Sequence, residues 1–174
     1  MAEMKKEVVP FNDLRLYNWE REEFLLVEWY NQLVTSGDHF ITFSSDMRHL
    51  STFLTTFKNQ ALVYAVDNLG MWFACWFEPI MSGAYFGTWV RKDKRHGTAW
   101  YGRFKAAIDA AFQRLTVLIA LTKQEAVAEQ LERIGAVHGM RIPALWDGEA
   151  VDVYTLTRDQ WNAHGRKIKQ KRSK

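Results

Sequence analysis

The chain has 174 residues, 48% of them hydrophobic and 25% charged, which suits one compact domain with a sizeable core. No apolar run has the length of a membrane span, and Met1 to Val9 lacks the apolar stretch of a secretory signal. The net charge of +3 is uneven: Arg166, Lys167, Lys169, Lys171, Arg172 and Lys174 carry six positive charges with no acid among them, leaving 17 basic against 20 acidic residues elsewhere. The body is therefore near −3, and the basic character belongs to the tail.

In chain order, the segment up to Leu16 has room for a short edge strand. A helix is predicted between Asn18, a suitable N-cap, and Gly37, a suitable stop, with Glu20, Glu22 and Glu23 at the positive end of its dipole. Phe24, Val27, Tyr30 and Val34 recur on it at helical spacing. A second helix is predicted from Asp46 to Lys58, with Leu50, Phe53, Leu54 and Phe57 as its apolar stripe and Ser44 or Ser45 as cap.

Three strands follow. Ala61 to Val66 ends at the turn Asp67-Asn68-Leu69-Gly70; Met71 to Phe77 is predicted to end at Pro79; Ala84 to Val90 follows the Ser82-Gly83 bend. Together they read as an antiparallel meander. Trp100, Phe104, Ala107, Ile108, Ala111 and Phe112 then form the stripe of a third helix. Leu115 to Leu121 reads as a strand covered on both faces. Thr122 and Glu125 read as a capping box opening a helix whose buried face is Val127, Leu131 and Ile134, stopped by Gly135. Two closing strands, Val137–Trp146 and Ala150–Thr157, are joined by the hairpin dipeptide Asp147-Gly148. This order predicts an α/β (mixed α+β) domain over residues 1–160, with a central mixed, mostly antiparallel sheet and helices on both faces, followed by a basic tail over 161–174.

Chemistry is easiest to argue where the third meander strand gives way to a helix. The first turn of a helix offers amides without internal partners, which together with the dipole can hold a phosphate. Gly97 removes a side chain where a diphosphate would approach, Thr98 offers a hydroxyl, and Lys92, Lys94 and Arg95 add positive potential. On these residues alone, a plain tight turn with solvated cations is the more ordinary reading.

Strand, Lys94-x-x-Gly97-x-Ala99, helix, strand, helix, glycine, strand resembles the GNAT superfamily of acyl-CoA N-acyltransferases, whose signature is Arg/Gln-x-x-Gly-x-Gly/Ala. The resemblance covers Ala61 to Thr157, and Leu131 to Ala136 is similar to the family's segment at the end of its last helix. It implies a GNAT-like fold and acetyl-CoA as co-substrate. It also implies a cofactor site at Thr88, Trp89, Val90, Lys94, Arg95, His96, Gly97, Thr98, Ala99 and Gln124, and attack by an amine on the thioester aided by a base and a tyrosine acid. The chain departs from the pattern at two places. Leu131 stands where a tyrosine is common, and Ser82-Gly83 falls where some members carry a glutamate. Glu78 is the nearest acid and Tyr85 the nearest phenol, so these two are the catalytic candidates; a solvated strand-end charge and a packing ring are their ordinary readings.

Ile134 to Val137 and Val153 to Thr157 also resemble GNAT-like proteins of short-tailed bacteriophages, including an internal virion protein. That likeness implies an alternative, a non-catalytic structural or host-interacting component with an aromatic interface around Trp146 and Trp161. The expected partner is an amine substrate or a protein, and a homo-oligomer fits either reading. The tail is readable as a nucleic-acid contact through phosphate neutralisation or as a solubilising end. The five histidines and the single Cys75 show no metal-ligand spacing, so no metal is expected, and Cys75 reads as a packed thiol. A cytoplasmic location, in a bacterium or an infected host cell, fits the cysteine usage, with a virion as the alternative.

Overall fold

The computed structural model describes residues 13–38 and 45–164; Ser44 and the six tail cations lie outside the described residues, as does the side chain of Trp146. Strand β1, Leu14–Leu16, is the expected edge strand. Helix α1, Trp19–Ser36, starts where the Asn18 side chain accepts the Glu20 amide at 3.1 Å and stops at Gly37 with φ 75°. Its buried face is Leu26, Trp29 and Leu33, while Phe24 and Val34 are exposed. The apolar residues of α1 allow two overlapping stripes, and packing selects the one carrying the tryptophan.

The second helical region is broken. A 3-10 turn over Ser45–Arg48 precedes helix α2, Leu50–Lys58, whose N-cap is His49 without a side-chain cap bond. Phe53 and Phe57 of the predicted stripe are fully buried.

The meander forms as β2 (Ala61–Asp67), β3 (Gly70–Ile80) and β4 (Gly83–Val90). Strand β3 runs through Pro79, because β2 ends opposite Phe77 and leaves β3 with a ladder on one side only, where a missing N–H is tolerated. Helix α3, Ala99–Ala111, carries the chain to β5, Val117–Thr122. Such a crossover is what allows β5 to lie parallel to β4. Only one face of β5 is fully buried: Leu118, Ala120 and Thr122 point inward, while Val117, Ile119 and Leu121 are half-buried. The cause is that α1 and α2 cover β2 to β4 but do not extend over β5.

Helix α4, Glu125–Arg133, is not opened by a capping box. Its N-cap is Gln124, and the buried Thr122 hydroxyl instead accepts the Gln124 amide at 3.0 Å. Gly135 stops it with φ 93°. Strands β6 (Val137–Trp146) and β7 (Glu149–Thr157) form the closing hairpin, with positive φ at Asp147 and Gly148 as the turn requires. Residues 158–164 are helical and Trp161 is buried, so the fold runs past the boundary at 160.

The result is one seven-stranded sheet in the order β1-β2-β3-β4-β5-β7-β6, antiparallel except at β4/β5. One face packs against α1 and α2 around Trp29, Phe53 and Phe57. The other packs against α3, α4 and Trp161, with Cys75, Phe86, Phe104 and Leu118 in its core. This is the mixed, mostly antiparallel sheet with helices on both faces that the order of elements predicts. Cys75 is fully buried, and burial pushes its thiol well above the usual range, as a packed thiol requires.

Candidate functional site

The parallel pair β4/β5 holds for only three partners, Gly83 with Val117, Ala84 with Leu118 and Tyr85 with Ile119. Beyond them β4 stays with β3 as far as Val90, opposite Phe73, while β5 stays with β7 as far as Thr122, opposite Asp152. Each strand follows its other partner and the two separate into a fork. Their facing edges beyond Tyr85 and Ile119 do not pair, so backbone groups there are free to bond a guest that carries amides.

A cavity of ≈ 400 Å³ lies on the α3/α4 side of the β4 arm of this fork. Phe86, Thr88, Trp89 and Val90 line it from β4; Trp100, Tyr101 and Phe104 from α3; Gln124, Val127, Gln130 and Leu131 from α4 and its cap. Its wall is mainly apolar, with Arg95 at one place on it. Of the residues predicted for a cofactor, Thr88, Trp89, Val90, Arg95 and Gln124 lie on this wall. His96, Gly97, Thr98 and Ala99 lie between two wall residues, Arg95 and Trp100. The amides of Thr98, Ala99 and Trp100 have no acceptor among the described residues, as expected of a first turn. A Cβ built on Gly97 meets nothing closer than the Lys94 carbonyl oxygen at 3.8 Å. The space beside Gly97 is therefore open, and the glycine is not required by the turn itself.

The cations of the turn are mostly committed. Arg95 donates from Nε to the Val90 carbonyl at 2.7 Å and from Nη2 to Asp38 at 2.5 Å. The buried Asp38 carboxylate also accepts the Trp89 indole N–H at 3.0 Å. Lys94 sits 3.5 Å from Asp67, which Arg91 grips at 3.0 and 2.7 Å. Asp38 is the residue that sequence reasoning missed. It follows the helix-ending Gly37, lies 57 positions from Arg95 and belongs to no motif.

Glu78 and Tyr85 are cross-strand partners, and Tyr85 is also the last β4 residue paired with β5. The two catalytic candidates thus meet at the vertex of the fork. Glu78 is exposed and Tyr85 is 38% exposed. Leu131, in the place expected for an acid, is buried in the cavity wall. The phenol on that wall is Tyr101, which lies 3.4 Å from His164 Nε2 and is held protonated by burial, reinforced by the charge of Asp109. The aromatic patch imagined at Trp161 is not a surface. Trp161 is buried against Phe104 and donates to Asp109 at 2.6 Å.

Neither a protein-family model nor a curated protein sequence matches the chain. Solved structures do. The ribosomal-protein-S5-alanine acetyltransferase of Vibrio fischeri superimposes with a TM-score of 0.64 at 14% identity, covering 87% of this chain and 96% of its own. RimJ of Mycobacterium smegmatis, solved in complex with CoA-disulfide, gives 0.66 at 12% identity over 91% of this chain and 88% of its own. The fold is that of the GNAT acetyltransferases. The spermidine N-acetyltransferase SpeG of Vibrio cholerae shares this GNAT fold with a TM-score of 0.63 at 11% identity, covering 85% of this chain and 96% of its own. The GNAT neighbours thus include enzymes named for protein and for small-amine substrates. They lend no support to the phage likeness of the short segments. No described helix is long and apolar enough to cross a membrane. Among the described residues no three His, Cys, Asp or Glu side chains gather as metal ligands would.

Proposed function

We infer that the chain is an acyl-CoA-dependent N-acyltransferase that moves an acetyl group from acetyl-CoA to a primary amine of a protein or small molecule. The open fork between β4 and β5 carries this reading. Its unpaired edges suit the two amides of a pantetheine arm, its apolar wall suits the methylenes between them, and the turn from Arg95 to Ala99 suits the diphosphate. A bound thioester supplies an activated carbonyl carbon. A neutral amine arriving at the vertex forms the C–N bond as the C–S bond breaks, and nitrogen loses one proton while sulfur gains one. Glu78 and Tyr85 stand where the amine proton leaves, directly or through water. Leu131 gives no proton to sulfur, so solvent supplies it. Titration calorimetry with CoA, followed by thiol release on a panel of peptide N-termini and polyamines, tests the reading; no affinity at millimolar CoA would sink it.

Leu131 favours one rival, a GNAT-fold protein that keeps the groove without the reaction and serves as a structural or host-interacting component. Turnover on any amine of the panel removes that rival.

A further inference from the structure

The register of the sheet lines up a row of side chains across the vertex that takes no part in the cofactor cavity. Paired residues of neighbouring strands share a face, so Glu78, Tyr85, Ile119, Thr155 and Val137 stand in line across β3, β4, β5, β7 and β6. Their face is the one opposite the cavity, because the alternate residues Phe86, Leu118, Tyr154 and Leu156 point into the core under α3 and α4. Beside the row, toward the open end of the fork, Leu121, Val153 and Met140 are paired in the same way. Helices α1 and α2 cover this face only as far as β4, where Trp76 packs on Phe57. The uncovered path from the vertex therefore runs toward β6. Along it Ile119, Leu121 and Val153 are half-buried and belong to neither packed core of the described residues, and Val137 and Met140 are 51% and 59% exposed.

Charge on this path lies at one end. Glu78 is exposed at the vertex, whereas the positions beyond it on β5, β7 and β6 are apolar or threonine. That pattern suits a guest with one ammonium group and an uncharged, apolar body. A polyamine would bring further cations onto Ile119, Leu121 and Val153, with no carboxylate among these positions to meet them. Length then selects among monoamines. Four strand spacings separate Glu78 from Val137, roughly 19 Å, which is about five or six residues of extended chain. A small amine would end near Ile119 and leave Val137 and Met140 in water. The chemistry of the vertex agrees. With Leu131 in the place of an acid and solvent around Glu78, the amine must arrive ready to react. Roughly a tenth of peptide α-amines are neutral at pH 7, against under about a thousandth of lysine side chains.

We propose that the acceptor is the α-amine of an extended peptide with apolar leading residues, and that Ile119, Leu121, Val153, Val137 and Met140 select it by burying those side chains. This rests on the acyl-CoA reading above. The amine stands at Glu78 and Tyr85, and each apolar side chain behind it exchanges water for the β5-β7-β6 face. Selection therefore acts on peptide binding and leaves the cofactor site untouched.

The test follows thiol release from acetyl-CoA with four acceptors. They are a hexapeptide beginning with alanine, leucine and valine, the same peptide with serine at those three positions, an N-blocked peptide whose one amine is a lysine side chain, and spermidine. The full chain is compared with the double variant Val137→Glu/Met140→Glu, with calorimetry for CoA affinity and melting temperature for the fold. The expected kcat/KM for the apolar hexapeptide is about tenfold above the serine peptide and about a hundredfold above the blocked peptide and spermidine. The double variant should lose roughly tenfold on the apolar hexapeptide through KM, gain on spermidine, and keep its CoA affinity and melting temperature. Equal rates for the apolar and serine peptides, a preference for spermidine, no turnover of any acceptor, or an unaltered double variant overturns the proposal. In each case CoA affinity leaves the cofactor reading standing; a full chain that binds no CoA overturns both. If sedimentation shows a dimer that the double variant dissolves, a second copy of the chain covers this face and the proposal falls.

Discussion

The two faces of the sheet use aromatic rings differently. Under α1 and α2, the Trp29 ring lies 5.1 to 6.0 Å from those of Phe57, Phe53, Trp89 and Trp76, and no solvent reaches it. Across the sheet, Trp100, Tyr101 and Phe104 lie 5.8 to 6.3 Å from one another, yet they wall a cavity of ≈ 400 Å³. Ring chemistry does not separate the two regions; backbone pairing does. Beneath the first, β3 and β4 pair without a break from Phe73 and Val90 to Ile80 and Gly83. Beneath the second, β4 and β5 part after Tyr85 and Ile119. A continuous ladder gives rings a floor to close on, and a fork leaves them as walls.

Emptying the sealed face should have the largest effect. Trp29→Ala removes a fully buried ring touching four others, and a loss of about 3–5 kcal/mol is expected in urea unfolding. A loss under ~1 kcal/mol would mean that this face is not sealed. Filling the open side should do the reverse. A Cβ at Gly97 meets nothing closer than 3.8 Å, so in Gly97→Trp the melting temperature should hold while CoA affinity falls about a hundredfold, or ~2.7 kcal/mol. That is the scale of one or two hydrogen bonds to a charged group. Affinity unchanged in Gly97→Trp would remove the diphosphate from this turn.

Gly87 probes the seam between the two regions. A Cβ there would lie 2.2 Å from the Trp76 ring, so Gly87→Val should cost about 1–3 kcal/mol by displacing it. Shrinking the ring with Trp76→Leu in the same chain should recover part of that, as a positive coupling in a double-mutant cycle.

The sheet was legible in the sequence because its order depends on local signals. Turn dipeptides at Asp67 to Gly70 and Asp147-Gly148 bound the hairpins, and the stripe from Trp100 to Phe112 requires a crossover between β4 and β5. What stayed hidden depends on distant partners. Phe24 and Trp29 have equal claims on the buried face of α1 until the sheet arrives. Pro79 reads as a strand end until β2 is seen to stop short of it. The cations at Arg95 and Lys94 read as free until Asp38 and Asp67 reach them from other elements. Leu131, by contrast, was visible from the start as a departure, and its burial in the wall gives that departure its chemical meaning.

The smallest effect expected concerns one of those hidden partners. Bonds from Arg91, with the Leu69 amide, hold the Asp67 carboxyl down at about 2, below its ordinary 3.8. A group depressed on folding stabilises the protein above its unfolded value and loses that contribution as pH falls through the folded one. Asp67→Asn should therefore cost about 1 kcal/mol at neutral pH, a modest figure because Asp67 and Arg91 are 23% and 16% exposed. The gap between the two chains should stay constant down to about pH 4 and close toward about pH 2. A gap that persists at pH 2 would assign the loss to packing and not to charge. The same variant releases Lys94 from its partner, so at low salt CoA affinity should not fall and should rise by about two- to threefold. If affinity falls instead, Asp67 supports the fork by shaping the turn, and the charge of Lys94 is irrelevant there.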